Sequence, residues 1–309
     1  MGSYFFRRVG GVVVTILVVS FVAYVALTSA PGDAAEALIG EHASAEQIAA
    51  LRHRMKLDRP LLERYGSYMV DALTRGDLGE SLASGRPVSA LLQERIPATV
   101  TLALVAMALA AVVGLGVGLL AATRPGTPLD SVAIGGTALG LALPPYWVAL
   151  LLVMLFSLRL HWLPVFGSGT PAHLVLPAIT LALPGAAVVA RLMRASVLEV
   201  RGSDFVRTAL SKGLSPRQTL VRHILPNSLI PALTLLGLNL SHLMGGAFVV
   251  ETIFAWPGLG RLTVQAIFDR DIPVVMGAVL TVVPICLAVN LLVDLMHAAL
   301  DPRVRHRAL

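Results

Sequence analysis

Charge is scarce in this chain. Only 14% of its 309 residues are Asp, Glu, Lys or Arg, against roughly 25% in soluble globular domains, while 56% are hydrophobic. That balance excludes an ordinary soluble protein. Cysteine is nearly absent: Cys286 stands alone, which rules out a disulfide framework and a thiolate metal cluster. Catalytic signatures are missing too. There is no GxxxxGK[ST] to cradle ATP phosphates, no HExxH and no GxSxG, and the eight histidines are scattered. Acids inside the apolar runs, which ion-coupled transport favours, come down to Glu251 and Asp294, both near run ends, where structural pairing explains them.

What the chain has is long apolar runs. Six of them cover residues 9–27, 98–122, 131–158, 174–192, 229–254 and 274–296, each close to the ~20 residues that cross a bilayer. This predicts an all-α integral membrane protein with six transmembrane helices. Pro144, Pro145, Pro177, Pro184, Pro231 and Pro284 fall within the runs. Such prolines read either as simple kinks or as broken helices lining a pathway. Arg7 and Arg8 precede the first run as in a signal peptide, but the run is longer than a typical h-region, and an uncleaved first span is expected.

Loop charge sets the expected orientation. With the N-terminus inside, the inner pieces carry Arg7, Arg8, Arg124, Arg191, Arg194, Arg201, Arg207, Lys212, Arg217, Arg222, Arg303, Arg305 and Arg307 against Asp130, Glu199, Asp204 and Asp301, so 13 − 4 gives +9. The outer segment 30–97 holds 8 basic and 10 acidic residues, net −2. Both termini are therefore expected in the cytoplasm. The net charge of +6 reflects this inner-side excess beside membrane lipid, not binding to nucleic acid.

The expected organisation is a first transmembrane helix in 1–29, an extracytoplasmic helical insertion in 30–97 and a core of five transmembrane helices in 98–309. In the insertion, Ser44 and Gln47 form a capping-box pattern. Asp58-Arg59-Pro60 then starts a second helix with Leu61, Leu62, Tyr65, Tyr68, Met69 and Leu73 as its apolar side, ended by Gly76 and Gly79. Too short for a core of its own, the insertion reads as a lid over helix ends or as a docking surface. "FAWPGLGRL" at 254–262 and "FDRDIP" at 268–273 suggest a short outer hairpin, with Phe254 and Trp256 suited to an interfacial belt.

Within the fifth run, Asn239, His242 and Gly246 share one helical face. They read as interhelical packing and hydrogen bonding, or as a pathway lining. "GLGVGLLA" inside the second run reads as close helix packing.

"SDFVRTALSKGLSPRQTLVRHILPNSLIP" at 203–231 interrupts the apolar runs with Arg207, Lys212, Arg217 and Arg222 and only one acid, Asp204. Ser203 is placed to cap a short helix in which Phe205, Val206, Ala209 and Leu210 share a face. Gly213 suits the left-handed position after its end. Ser215-Pro216 opens a second helix that runs toward Leu225-Pro226. A capped helix–turn–helix with an apolar knob beside positive charge suggests a docking element.

This stretch resembles the "EAA" loop of ABC-importer permeases, and more narrowly the first membrane subunit of the dipeptide/oligopeptide/nickel group. The likeness extends over almost the whole chain through "APGD", "LDRPLLERY", "GDLGESL", "PVSALLQERIPAT", "WLPVFG", "ETIFAWPGLGRL" and "ALDPRVR", in that order. Pro226 departs from the Arg often found there, which puts the junction with the fifth span in question.

The resemblance implies a type I ABC-importer permease fold and a non-catalytic subunit in the plasma (inner) membrane. Its implied partners are a homologous second permease, two cytosolic ATPase subunits and an extracytoplasmic substrate-binding protein. This chain would hold no cofactor, and ATP and Mg would bind on the partner ATPases. The loop 198–228 would couple the subunits through Asp204, Phe205, Val206, Arg207, Ala209, Leu210 and Gly213. Asn239, His242 and Gly246 are the pathway candidates, and Asp77, Trp256 and Arg261 are candidate contacts for the binding protein. Di- or oligopeptides are the first cargo reading and chelated nickel the second. A stand-alone secondary transporter or channel is the alternative from another class, and the scarcity of midspan acids weighs against it.

Overall fold

A computed structural model of the chain describes residues 2–29, 46 and 58–300, with side chains apart from those of 2–9, 241 and 292–300. The proposed helix opened by Ser44 and the side chain of Asp294 lie outside the described residues. Among those described the protein is helical and contains no strand, only an isolated bridge between Glu80 and Pro87. Among the described residues five helices are long and apolar enough to cross a membrane, and a sixth span is present if one sharply bent pair counts as one.

The described residues divide into two compact units, the first within 2–98 and 257–288, the second within 99–256 and 289–300. In the first, α1 (Gly2–Ser29) packs against α2 (Leu61–Arg75). Gly76 closes α2 with φ 65°, the left-handed geometry that suits glycine after a helix. The expected apolar side of α2 splits. Tyr65 and Met69 turn toward α1, whereas Leu62 and Leu73 are exposed. A second cluster joins Val88, Leu91 and Leu92 to Leu259 and Ala266 of α10 (Leu259–Phe268) and to Val274, Val275 and Ala278 of α11 (Ile272–Leu300). The segment expected as a simple hairpin thus contains a helix of its own. Gly277 is required there, because a Cβ would come within 2.5 Å of Val88 Cγ1.

Val88 opens α3 (Val88–Thr123), which runs unbroken through Pro97. The outer boundary expected at Pro97 is therefore not a helix boundary. Proline forfeits one backbone bond, but the apolar helix around it persists.

In the second unit the third apolar run is sharply bent, and it is one span only if its two halves count together. It forms α4 (Pro128–Ala142) and α5 (Pro145–Leu152), the latter continued by a π turn at Val153–Arg159, and the halves bend by 107°. The reason is local. Pro144 and Pro145 offer no N–H, and a residue before proline is driven out of the helical region. Leu143 accordingly adopts φ −83°, ψ 127°. Of the two proline readings, the break holds here. Pro177 and Pro184, by contrast, lie inside an uninterrupted α6 (Ala172–Arg201).

α6 is the most buried helix of this unit and packs against α3 through small residues. A Cβ on Gly114 would lie 2.8 Å from both the Ala186 carbonyl oxygen and Val189 Cβ, and one on Gly118 would strike Ala190 and Met193. This Gly-x-x-x-Gly pair lets two backbones approach, as the "GLGVGLLA" stretch suggests. Arg194 of α6 grips Asp130 at the start of α4 with two bonds of 2.6 and 2.7 Å. The Gly126 N–H donates to the same carboxylate at 2.9 Å.

Candidate functional site: the helix–turn–helix and the span that follows it

α6 ends at Arg201, and α7 (Asp204–Ser211) follows directly. Ser203 holds the N-cap backbone geometry, but its hydroxyl donates to the Val200 carbonyl at 2.6 Å instead of accepting from α7. The cap expected from Ser203 is thus replaced by a bond back into α6. Asp204, which accepts from Arg207 at 3.3 Å, supplies negative charge to the first turn.

The other end follows the expected geometry. Gly213 has φ 83°, its N–H donates to the Leu210 carbonyl at 3.0 Å, and the Leu214 N–H donates to the Ala209 carbonyl at 3.3 Å. These are the paired bonds of a Schellman motif. Ser215 then caps α8 (Pro216–Thr219) reciprocally. Its Oγ accepts from Gln218 N at 3.3 Å, while its N–H donates to Gln218 Oε1 at 3.0 Å.

α8 does not stop before the fifth span. A π turn at Leu220–Ile224 leads straight into α9 (Leu225–Ile253), the Leu225 N–H reaching back to the Leu220 carbonyl. Pro226 has no N–H to donate and needs room against the preceding turn, and the wider turn supplies it. The junction put in question by Pro226 is therefore a continuous, locally widened helix.

The apolar knob expected on α7 divides in two. Val206 (1% exposed) is buried in a cluster with Ala122, Met193, Val197, Ile224 and Ala232, and Ala209 (6%) is buried as well. Phe205 (47%) and Leu210 (46%) face outward beside Arg207. Four residues sharing one amphipathic face serve two surfaces, because a helix this short has one side seated and the flanks of that side still open. A cavity of about 360 Å³ borders this cluster, lined in part by Val206, Leu210, Leu220, Arg201 and Arg217.

The pathway candidates also separate. His242 and Gly246 are exposed in this chain, whereas the Asn239 Nδ2 is buried and has no hydrogen-bond partner among the described residues. Gly246 faces α6, where an added Cβ would lie 3.3 Å from Leu181 Cδ1. Close packing is thus present at Gly246, and the interhelical bond expected of Asn239 is not.

At the far end of α9, Glu251 is fully buried and accepts from the Thr99 hydroxyl at 2.6 Å. The structural pairing expected of Glu251 is there. The backbone turns at Ala255 (φ 51°), and the Trp256 N–H donates to the Glu251 carbonyl at 2.8 Å. Trp256 is only 8% exposed and Phe254 2%. Neither forms an outer belt, and Trp256 underlies the surface instead of presenting itself to a partner. Asp77 and Arg261 are exposed. Asp77 accepts from the Gly79 N–H at 2.9 Å, and its charge adds to burial in raising the Tyr68 phenol above its ordinary pKa.

Residues 114–306 match the family described as the binding-protein-dependent transport system inner membrane component, and residues 1–103 match the N-terminal part of such membrane components. The chain belongs to this family of ABC-importer permeases. The permease is 38% identical over 308 residues to the glutathione transport system permease protein GsiC of Pectobacterium atrosepticum, covering 99% of this chain and 100% of the relative. It is 36% identical over 314 residues to the probable peptide ABC transporter permease protein y4tP of Sinorhizobium fredii, again covering 99% and 100%. Two solved structures share its fold. An inward-facing form of the MetNI methionine ABC transporter aligns with TM-score 0.58 at 21% identity, covering 69% of this chain and 97% of that one. An amino acid ABC transporter with histidines aligns with TM-score 0.53 at 20% identity, covering 68% and 94%.

The permease is therefore a multi-pass inner-membrane subunit of the dipeptide/oligopeptide group, with a transport role and no catalytic one. Two features escaped sequence reasoning. Asp271 caps α11 and holds a loop near residue 81, a role that the Asp-x-Pro in "FDRDIP" signals as a helix start. The Asp130–Arg194 pair joins residues 64 apart and leaves no local signal.

Proposed function

We propose that this permease carries peptide-like cargo and is driven by ATPase subunits that seat on α7. One observation carries the reading. α7 is anchored within its own chain by Val206 and Ala209, locked at its end by Gly213, and still presents Phe205 and Leu210 outward beside Arg207. A rigid seat with an apolar protrusion transmits a partner's movement to α6 and α9, because α7 is packed between their ends. Asp204 and Arg207 form the polar rim.

The full assembly would comprise a homologous second permease, two ATPases holding ATP and Mg, and an extracytoplasmic binding protein. Both termini and α7 would face the cytoplasm, and the segment 30–97 the outside, in keeping with the loop charges. Asp77 and Arg261 are the proposed contacts for the binding protein. Asn239, His242 and Gly246 are proposed to border the cargo path, the partnerless amide of Asn239 being the strongest support. The relatives named for glutathione and peptide support a peptide cargo over chelated nickel.

The test is reconstitution with the cognate ATPases and binding protein. Peptides, glutathione among them, should stimulate ATP hydrolysis and uptake, and a nickel chelate should not. Uptake by the permease alone in ATP-free liposomes would overturn the reading in favour of a stand-alone transporter.

A further inference from the structure

α2 is oriented in an unusual way for a lid. Leu62, Gly66, Val70 and Leu73 recur at spacings of four, four and three, so they share one edge of the helix. Leu62 is 69% exposed, Val70 59% and Leu73 70%. That edge points away from α1, and among the described residues nothing covers it.

The depth at which α2 meets α1 identifies what does. The Tyr65 hydroxyl donates to the Leu17 carbonyl at 3.0 Å and shares a 2.8 Å bond with the Ser20 hydroxyl. The Tyr65 ring packs on Phe21 and Tyr24 at centroid distances of 5.2 and 5.6 Å, and Met69 Sδ approaches Ser20 Oγ at 3.9 Å. Leu17 is about 18 Å back from the Ser29 end of α1, at 1.5 Å per residue. A lid resting on helix ends would touch only the last turn. α2 instead lies alongside the apolar span, whose own Val14, Val18 and Val22 are exposed.

The polar groups of α2 are arranged for such a place. Glu63 pairs with Arg59 at 3.1 Å and Asp71 with Arg75 at 3.2 Å, each a neutral i,i+4 pair near one end. The Arg64 guanidinium lies 5.7 Å from the Tyr24 ring centroid, within reach of a cation–π contact. Fifteen residues make about 22 Å of helix, short of the ~30 Å needed to span.

We infer that α2 is an amphipathic helix embedded in one leaflet of the bilayer beside α1, with Leu62, Val70 and Leu73 against lipid acyl chains. It fastens the segment that follows α1 to the membrane, in the manner of an interfacial helix. The inference rests on α1 being a span, and not on ATPase coupling or on the identity of the cargo.

Single nitroxide labels at Leu62→Cys, Val70→Cys and Leu73→Cys, with Cys286→Ser, test it in the assembled complex in liposomes. Collision rates with oxygen and with a water-soluble nickel chelate are compared, with a label at Glu63→Cys as reference. Oxygen collisions should exceed nickel-chelate collisions several-fold at the three apolar positions and fall relative to them at position 63. Excess nickel-chelate collisions at Leu62 and Leu73 would place the face in water and overturn the inference. Low rates for both reagents would show a protein partner there and overturn it equally. The three positions are labelled separately, so loss of one variant leaves the result intact.

Discussion

Ser81 and Asp271, 190 residues apart in the chain, are joined by a buried hydrogen bond of 2.6 Å. The carboxylate also accepts from the Ala83 N–H at 3.2 Å and from the Val274 N–H at 3.4 Å, while Ser81 Oγ accepts from Ser84 N at 3.0 Å. One acid thus caps α11 and holds the loop that leads into α3. Asp271→Ala leaves the Ser81 hydroxyl and a helix-start N–H without their acceptor, which costs about 1–3 kcal/mol. Its thermal midpoint in detergent should fall clearly, and that of Ser81→Ala by less, because Asp271 retains its backbone donors. Equal midpoints for wild type and Asp271→Ala would show that the clamp contributes nothing.

The two faces of α7 predict two kinds of defect. Phe205→Ser and Leu210→Ser alter exposed side chains, and are expected to weaken co-purification of the ATPases while the thermal midpoint holds. Ala209→Asp places a charge at a position buried within the permease itself, and is expected to lower the midpoint first. A Cβ at Gly213 meets no neighbour within 4 Å, so the main cost of Gly213→Val is backbone strain, about 1–2 kcal/mol. It should insert normally yet lose cargo-stimulated hydrolysis. Full coupling in the Phe205→Ser, Leu210→Ser double variant rejects α7 as the ATPase seat.

Topology is open to a labelling experiment. Ser84 and Ser215 are both exposed. With Cys286→Ser, an impermeant thiol reagent applied to intact cells should label Ser84→Cys and leave Ser215→Cys unlabelled until the membrane is permeabilised. Equal labelling of both before permeabilisation contradicts the proposed orientation.

Asn239 and His242 separate packing from transport. If they border the cargo path, Asn239→Leu and His242→Leu should shift the ranking of peptide cargoes at unchanged complex yield. A fall in yield with the ranking preserved assigns them to helix packing. Removing the partnerless amide of Asn239 should not itself destabilise the chain, since a buried donor without an acceptor already costs free energy.

Local order alone made much of this permease legible. Apolar runs of spanning length mark the membrane helices because the bilayer imposes one length on all of them. The turn at Gly213 and the N-cap at Ser215 read correctly because their bonding partners lie within five residues. The bend at Leu143 is local as well, since a residue before proline is driven out of the helical region. Tertiary packing decided the rest. Phe205 and Val206 are neighbours of similar hydrophobicity, and only the position of α6 and the π turn determines which of them is buried. Trp256 and Phe254 look like a belt until the bond from Trp256 to the Glu251 carbonyl turns the chain inward. Asp271 and Ser81, like Asp130 and Arg194, find each other across long stretches of chain. A polar group taken out of water needs a partner wherever the fold can supply one, and sequence distance carries no information about which partner that is.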